Sequence, residues 1–449
     1  MLFFCHTLPM DKVRFNRITT LALPIIGGMV SQNVLNLVDT AMVGRLGNFA
    51  LAAVGIGGFC NWMGQSLILG ISPAVQAMAA RRKGEGKISE AAHPLNSALI
   101  LVVITAIILT TIYIFTTPYL FPYLNSDPRV IEKGVPYLQI RLLSTVFVGC
   151  NFAFRGFWNA VDMSKVYMNT LIVMHASNII LNYLLIFGKF GFPQMGVEGA
   201  ATATAISTII GTFIYFYQAK RKSSHMGFLK SVPKTKHFKA LLKLAIPNCM
   251  QQLFFSAGWV AMYWVVGKIG TLEVAAANVL INIMLVAILP GLALGLAAAT
   301  LSGQALGRKD PDDALRWGMD VCKVGVLGIT VLAIPMIFFP KLLLSVFIHD
   351  PKTLEVATLP MRLTGLLLPL DSVGLILMNA LLGVGDTKRV MYVSIFFQWI
   401  FYLPLAYLVG PVLGYGLLGV WLIQGTYRIL QSIIFTSFWK GAKWKEIQV

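Results

Sequence analysis

Two aspartates lie deep inside otherwise apolar stretches of the sequence, where a carboxylate is suited to chemistry. Asp39 falls in VLNLVDTAMVG and Asp371 in LLLPLDSVGLI, whereas the other acidic residues lie in loops or near the ends of apolar runs. A charged side chain in hydrocarbon costs about 2.5–3.5 kcal/mol or more, and desolvation favours the neutral carboxyl group. Such a group can bind and release a proton, so we predict that Asp39 is a proton-coupling residue and that Asp371 is a secondary candidate.

Polar side chains accompany Asp39 at helical spacing. On its own apolar stretch they follow i, i+4, i+7 and share one helix face, namely Gln32, Asn36 and Asp39. A second stripe has the spacing i, i+3, i+7, at His175, Asn178 and Asn182. Neighbouring stretches add further members of a predicted substrate pocket, at Thr202, Thr204, Asn151 and Tyr137. Facing stripes would form a hydrogen-bonded pocket, but amides and hydroxyls are equally expected as polar contacts between helices.

The elements that must position these residues are membrane-spanning helices. The 449-residue chain is 57% hydrophobic and only 12% charged, whereas soluble domains carry roughly a quarter charged residues. This composition excludes a cytosolic enzyme, a secreted disulfide scaffold and a nucleic-acid binder. The 5 cysteines and 6 histidines show no metal-binding spacing. We therefore predict an all-α polytopic membrane protein with lipid around it and without a cofactor or a metal.

The apolar runs predict twelve transmembrane helices, each able to cross a bilayer core about 30 Å thick. Their approximate ranges are 18–44, 50–79, 94–120, 131–158, 166–188, 196–219, 241–267, 274–304, 316–341, 354–381, 390–412 and 416–438. Of the 36 Lys and Arg residues, 25 fall on one side of these spans and 7 on the other. The positive-inside rule therefore places both termini in the cytoplasm. No signal-peptide cleavage site is evident, and Met10 is an alternative start to Met1.

The two halves of the sequence resemble each other. LALP at 21–24 recurs as LAIP at 244–247, and Asp127-Pro128 recurs as Asp350-Pro351, both at an offset of 223 residues. Each half holds six spans, an even number, so the repeats are parallel and related by a pseudo-two-fold axis along the membrane normal. We predict two six-helix bundles and a cytoplasmic basic linker, with the N-terminal lobe at 1–219, the linker at 220–240 and the C-terminal lobe at 241–449.

Three repeat positions bear on mechanism. Pro24 can kink span 1, but its counterpart Pro247 is equally consistent with a structural feature of both halves. The position that matches Asp39 in the second half holds Met262, so the acid belongs to one half only. Arg141 in span 4 also has a counterpart in the second half, which favours a structural role.

Several segments resemble one known family. NLVDTAMVGRLGNFALAAVG at 36–55 is similar to the first-helix signature of the multidrug and toxic compound extrusion (MATE) family, in the branch like DNA-damage-inducible protein F. Segments 181–207 and 382–389, the latter LGVGDTKR, resemble further parts of that family, and the resemblance covers essentially the whole chain. It implies a cation-coupled antiporter that expels lipophilic, often cationic drugs. It also implies that Asp39 is the family's helix 1 acid, with Gln32 and Asn178 as polar partners.

The resemblance bears on the coupling ion as well. Asn182-Tyr183 stands where such proteins commonly have Asp-Pro, and Asp371 matches an acid of the sodium-linked branch whose helix 7 glutamate partner is missing. A sodium site needs several hard oxygen ligands, so protons are favoured, while Na⁺ held by Asp39 and amide oxygens stays open. We predict a proton-driven multidrug antiporter rather than an enzyme, working by rocker-switch alternating access as a monomer in the bacterial cytoplasmic (inner) membrane.

Three alternatives remain open. A lipid-linked precursor flippase of the same superfamily would need an arginine-rich cleft, whereas the four arginines within spans are interpreted as lying near span ends. A membrane-embedded enzyme would need paired catalytic groups or a metal cluster. A channel or a receptor would not explain a lone buried acid in one of two repeats.

Overall fold

The computed structural model describes residues 11–230 and 235–447, and all regular secondary structure in these residues is helical. Met1 and Met10, the two possible start residues, lie outside the described residues, as do residues 231–234 of the predicted linker. The described chain forms twelve helical rods at the predicted spans. They are α1 Lys12–Gly44, α2 Asn48–Leu69 with Ile71–Gly84, α3 His93–Leu124, α4 Pro128–Leu143 with Thr145–Ala160, α5 Ser164–Phe187, α6 Gly196–Lys222, α7 Thr235–Gly267, α8 Thr271–Gly307, α9 Pro311–Phe338, α10 Pro351–Gly383, α11 Thr387–Val412 and α12 Gly416–Lys440.

The repeated Asp-Pro pairs explain how α4 and α10 begin. Asp127 accepts a hydrogen bond from the backbone N–H of Arg129 at 2.9 Å, and Asp350 accepts one from the backbone N–H of Thr353 at 2.8 Å. An aspartate at the N-cap satisfies a free helix donor, and a proline in the first turn loses no intrahelical bond. The same local signal therefore starts the fourth helix of each half.

Two rods are interrupted. α2 breaks at Gly70, where a Cβ atom would collide with the backbone of Cys249. α4 bends by 49° at Ser144, between its two parts. Both breaks fall inside stretches that the hydropathy pattern predicted as single spans, at 50–79 and 131–158.

Nine rods in the described residues are long and apolar enough to cross a membrane, and α4 makes a tenth if its bent parts form one span. The two that fall short are α7 and α12. Polar residues interrupt their apolar runs, such as Gln251 in α7 and Gln424 and Arg428 in α12. Polar side chains inside a span are costly and usually face the protein or an aqueous cavity.

The chain divides into two compact units. One, called here the Asp39 unit, contains Gly27–Arg82 and Lys87–Leu253. The other, called the Asp371 unit, contains the chain up to Ile26, Lys83–Gly86 and the chain from Phe254 onward. α1 and α7 therefore contribute to both units. The lobe and linker boundaries given above stay a prediction.

Small residues let the rods of each unit approach closely, as is usual where lipid supplies no hydrophobic driving force. In the Asp39 unit, a Cβ atom on Gly156 of α4 would collide with the backbone of α2 at Ser72. In the Asp371 unit, a Cβ atom on Gly383 of α10 would collide with the backbone of α8 at Ala299. Each unit thus holds its polar residues on closely packed helices.

Candidate functional site

α1 and α5 carry the two polar stripes, and within the Asp39 unit these stripes face each other. Asn182 Nδ2 of α5 donates to Asp39 Oδ1 of α1 at 2.6 Å. A hydrogen bond to a charged acceptor is shorter and stronger than one to a neutral acceptor. The carboxylate of Asp39 is therefore anchored by an amide on the neighbouring helix.

Asn178 links this contact to α6, and its amide fits its neighbours in two orientations. In one, its nitrogen donates to Thr204 Oγ1 at 3.1 Å and to Ser207 Oγ at 3.2 Å, and its oxygen accepts from Asn182 at 2.8 Å. With nitrogen and oxygen exchanged, the nitrogen donates to Asp39 Oδ1 at 3.0 Å and the oxygen accepts from Thr204 and Ser207. The exchanged orientation gives Asp39 a second amide donor but places the Asn178 nitrogen beside Asn182 Nδ2, so the hydrogen bond between the two asparagines is lost.

His175 connects the remaining part of the α1 stripe to α5. Its Nε2 lies 3.1 Å from Gln32 Oε1, and its Nδ1 lies 2.9 Å from Ser31 Oγ. Because an amide oxygen only accepts, the Nε2 atom carries the proton of the first contact. Gln32 Nε2 in turn donates to Asn36 Oδ1 at 3.2 Å. The hydrogen bonds of His175 and Gln32 thus extend the polar cluster along α1.

The cluster is covered on the α5 side and open on the α1 side. Asn178 and Asn182 are fully buried, Asp39 is half-buried, and Gln32 and Asn36 are exposed. The α1 face can therefore receive a proton or a ligand while α5 holds the carboxylate in place.

Arg141 of α4 acts electrostatically on Asp39, and Tyr137 of the same rod lies within reach of the Asp39 charge. Tyr137, predicted as a pocket residue, is buried and interacts with Asp39. Arg141, interpreted from the sequence as structural, also interacts with Asp39, and its buried Nε atom has no hydrogen-bond partner. Sequence reasoning therefore missed Arg141 as a candidate functional residue. The available signal was an arginine inside a span, one helical turn after Tyr137.

Three predicted residues do not join this cluster. Asn151 donates to the backbone oxygen of Thr208 at 3.2 Å and accepts from Thr212 at 2.9 Å, which ties α4 to α6. Thr202 donates to the backbone oxygen of Glu198 on its own helix. Pro24 lies inside α1, in the part that belongs to the Asp371 unit. Asn151 and Thr202 therefore make polar contacts between and within helices, and Pro24 lies outside the Asp39 unit.

Asp371 lies on α10 of the Asp371 unit and has a charged partner. Its carboxylate Oδ1 is 3.7 Å from Arg428 Nη1 of α12. Arg428 occupies the middle of α12, so the interpretation that it lies near a span end is wrong. Two residues 57 positions apart in sequence give no periodic signal of their pairing. The acids of the two units therefore have different partners, an amide for Asp39 and a guanidinium for Asp371.

The described residues contain no group of three or more His, Cys, Asp or Glu side chains arranged to hold a metal ion. What the Asp39 cluster offers instead is one carboxylate surrounded by amides, hydroxyls and an imidazole. This set can exchange a proton and can offer a cation one negative charge.

Twelve long helices with two carboxylates inside apolar stretches have the character of a polytopic membrane protein. The MatE family model matches residues 24–184 and again residues 247–408. These two matches cover most of the chain and begin at the offset of the sequence repeat, which confirms the duplication. The chain belongs to the MatE family of transporters.

The chain aligns with several relatives over most of their length. The chain is 26% identical over 446 residues to a "Probable multidrug resistance protein NorM" of Thermotoga maritima, spanning 99% of this chain and 96% of that one. It is 26% identical over 405 residues to the "Multidrug resistance protein MdtK" of Edwardsiella ictaluri, spanning 87% and 86%. These relatives are named as resistance proteins and not as enzymes.

Solved structures confirm the fold. A multidrug resistance MATE transporter of the MOP superfamily, described in an outward-facing conformation, superposes with a TM-score of 0.87 at 22% identity over 95% of this chain and 96% of that chain. A MOP superfamily transporter from Pyrococcus furiosus, described as having a binding pocket of reverse polarity, superposes with a TM-score of 0.86, also at 22% identity and over 95% of each chain. The all-α fold of twelve helices is thereby confirmed.

Proposed function

We propose that this chain is a multidrug efflux antiporter that exports lipophilic, often cationic compounds in exchange for protons, with Asp39 as the shared carboxylate. The observation that carries this proposal is the half-buried carboxylate of Asp39, held at 2.6 Å by the buried amide of Asn182 and open on the α1 face. The multidrug resistance names of its relatives support the substrate class.

Protonation and drug binding compete at this carboxylate. In the outward-open state Asp39 takes up a proton, loses the charge that attracts a cationic drug, and releases the drug. The hydrogen bond from Asn182 weakens at the same time because its acceptor is no longer charged. The lobes then rock to the inward-open state, where a cytoplasmic drug displaces the proton. Arg141 enforces the competition, since a fixed positive charge nearby disfavours two cations at one acid.

The driving force is sufficient for accumulation against a gradient. Each charge that moves inward is driven by about 2.3 kcal/mol per 100 mV of membrane potential. Each unit of pH difference adds about 1.4 kcal/mol. The exchange requires a proton-impermeable membrane, which we propose to be the bacterial cytoplasmic membrane, with both termini in the cytoplasm.

Sodium is the second candidate for the coupling ion. The Oδ1 atom of Asn182 is buried without a hydrogen-bond partner. If the Asn182 amide turned over, this oxygen would face Asp39, and the pair would offer a small cation two oxygen ligands. In the observed orientation an N–H group faces the carboxylate instead, which favours a proton.

The test is ethidium efflux from proteoliposomes energised with a proton gradient or with a sodium gradient. Wild-type protein is expected to respond to the proton gradient, and Asp39→Asn is expected to lose that response. The matched control is Asp127→Asn, because Asp127 lies outside the spans and asparagine caps a helix as well as aspartate does. If the wild type responded only to the sodium gradient, the coupling ion would be Na⁺ and not the proton. No efflux under either gradient would favour the flippase alternative.

A further inference from the structure

The end of α6 and the chain that follows it form a basic surface on the Asp39 unit, called here the basic turn, residues 220–230. α6 ends in Lys220, Arg221 and Lys222, and the turn continues to Lys230. All four side chains are exposed. Because the C-terminus of any helix favours basic residues, these charges alone do not define a binding surface.

The backbone at Leu229 adds an independent observation. Leu229 has a left-handed backbone with a φ of 53°, and it is 64% exposed. A bulky residue other than glycine rarely adopts this conformation. The preceding residue, Phe228, serves the core, since it is buried and its ring packs against Phe154 and Phe216 with centroids 6.0 and 6.1 Å away. Packing inside the unit therefore accounts for Phe228 but not for Leu229.

Hydrogen bonds to α3 hold the strained residue in place. Asn96 is buried, and its Nδ2 atom donates to the backbone oxygen of Gly227 at 3.0 Å. Its Oδ1 atom accepts from the backbone N–H of Leu229 at 3.1 Å. The backbone N–H of Ala92 donates to the backbone oxygen of Met226 at 2.9 Å. Backbone strain persists where the surroundings over-determine it, and it is frequent at functional sites.

The outer face of α6 shows where the basic turn lies relative to a bilayer. Phe213, Tyr217 and Arg221 follow the spacing i, i+4, i+8 and share one helix face. Phe213 is 66% exposed and Tyr217 is 62% exposed. Tyrosine is enriched at the membrane–water interface, and basic residues follow on the aqueous side. With a rise of about 1.5 Å per residue, Arg221 lies about 6 Å beyond Tyr217, which is the level of lipid headgroups.

The charge of the basic turn suits an anionic headgroup. Phosphate oxygens accept parallel hydrogen bonds from a guanidinium and single ones from ammonium groups. The short helix Ile88–Glu90 packs on the turn and brings one acid close to it. Glu90 already accepts from Arg82 at 3.0 Å, so its charge is balanced by a residue outside the turn.

We propose that the basic turn binds anionic phospholipids in the membrane leaflet that it faces. The headgroup phosphate lies on Arg221, Lys222 and Lys230, and Leu229 inserts among the lipid chains beside the headgroups. In the orientation proposed above this is the cytoplasmic leaflet, whose surface is negatively charged. The surface lies apart from Asp39, and its lipid binding does not depend on the coupling ion.

Native mass spectrometry of the full-length protein in detergent tests this proposal by counting bound lipids. The lipids are phosphatidylglycerol, which is anionic, and phosphatidylcholine, which has no net charge. One variant removes three charges of the basic turn, as Arg221→Gln/Lys222→Gln/Lys230→Gln. The matched control removes three exposed lysines on the predicted opposite side of the spans, as Lys189→Gln/Lys341→Gln/Lys352→Gln. The melting temperature checks the folding of each variant.

We expect the basic-turn variant to weaken phosphatidylglycerol binding by about tenfold or more, because each basic residue near the surface adds to the attraction. Its binding of phosphatidylcholine should change by less than about twofold, since the net charge of that headgroup is zero. The control variant should bind phosphatidylglycerol within about twofold of the wild type.

Two substitutions of Leu229 separate lipid binding from a structural role. Leu229→Asn removes the apolar side chain, and asparagine adopts a left-handed backbone more readily than leucine. We expect it to weaken phosphatidylglycerol binding by about threefold or more without lowering the melting temperature. Leu229→Met keeps an apolar side chain and should bind within about twofold of the wild type. These variants decide the question if the basic-turn variant fails to fold.

Several results would overturn the proposal. They are equal binding of the two lipids by the wild type, wild-type affinity in the folded basic-turn variant, and an equal loss of affinity in the lysine control. A lowered melting temperature with unchanged lipid binding in Leu229→Asn would assign that leucine a structural role instead. Displacement of phosphatidylglycerol by an equal concentration of glycerol 3-phosphate would indicate a site for soluble phosphates and not for lipids.

Discussion

Asp39 and Asp371 are both carboxylates embedded in spans, yet they differ in the partner that each has acquired. Asp39 is bonded to the neutral amide of Asn182 at 2.6 Å, whereas Asp371 lies 3.7 Å from the guanidinium of Arg428. Protonation of Asp39 weakens a hydrogen bond from a neutral amide and breaks no direct ion pair, although Arg141 lies nearby. Protonation of Asp371 would leave the guanidinium of Arg428 without its direct ion-pair partner. This difference supports the proposal that Asp39, and not Asp371, exchanges the proton.

The largest expected effect concerns stability. Arg428→Leu leaves Asp371 without its partner and is expected to lower the free energy of unfolding by about 3–5 kcal/mol. Asp39→Asn keeps an uncharged partner for Asn182 and is expected to change the free energy of unfolding by less than about 1 kcal/mol. Thermal unfolding in detergent compares the stability of each variant with that of the wild type. Equal destabilisation by the two variants would contradict the proposed difference between Asp39 and Asp371.

The double variant Asp371→Asn/Arg428→Leu, measured beside its two single variants, provides the control for that experiment. It removes both charges, so most of the stability lost in Arg428→Leu should return, with a coupling energy of about 0.5–3 kcal/mol. If the double variant were as unstable as the sum of its single variants, the two side chains would not act as a pair.

A smaller effect on transport is expected to distinguish two threonines of α6, Thr202 and Thr204. Thr204 accepts from Asn178, which contacts Asp39 through Asn182, whereas Thr202 bonds only to its own helix backbone. We expect Thr204→Val to slow proton-driven ethidium efflux by about threefold to tenfold, a barrier of about 1 kcal/mol. Thr202→Val should stay within about twofold. The reverse order would show that the cluster joined to Asn178 is not the coupling site.

The smallest expected effect concerns stability at acidic pH and depends on Asp313, which lies in the first turn of α9, before the predicted span at 316–341. Burial alone would raise the pKa of Asp313, but hydrogen bonds from Arg14, Trp317 and Arg308 outweigh it and hold this pKa below its usual value. A lowered pKa in the folded state adds stability above the unfolded value of about 3.9, and that stability is lost as the pH falls further. Wild-type protein should therefore lose melting temperature below about pH 4.

Asp313→Asn tests this assignment. It should lower the melting temperature at neutral pH and flatten the decrease below about pH 4, while Asp39→Asn leaves the decrease unchanged. If Asp39→Asn flattened the decrease in melting temperature below about pH 4 and Asp313→Asn did not, the assignment of this acid stability to Asp313 would be wrong.

Local sequence signals predicted a large part of this architecture. The apolar runs gave the twelve rods, the Asp-Pro pairs marked two helix starts, and helical spacing placed Asp39 and Asn182 on the stripes that meet. These features depend on residues within a few turns of each other, so periodicity records them.

Contacts between distant helices escaped prediction for the same reason. The pairing of Asp371 with Arg428 and the position of Arg141 beside Asp39 depend on how rods pack, which no spacing within one helix reports. Asn151 and Thr202 were predicted as pocket residues because polarity alone does not say which neighbour a side chain faces. The breaks at Gly70 and Ser144 depend likewise on packing and not on hydropathy.

Proton release on drug binding tests the central claim most directly. Purified protein in a weakly buffered solution near neutral pH is mixed with ethidium, and a pH indicator records the protons released. Competition at one carboxylate predicts release that saturates with ethidium binding in the wild type and in Asp127→Asn, and none in Asp39→Asn, because linkage requires a displaced proton. Full ethidium binding without proton release, or equal release from Asp39→Asn, would contradict the account.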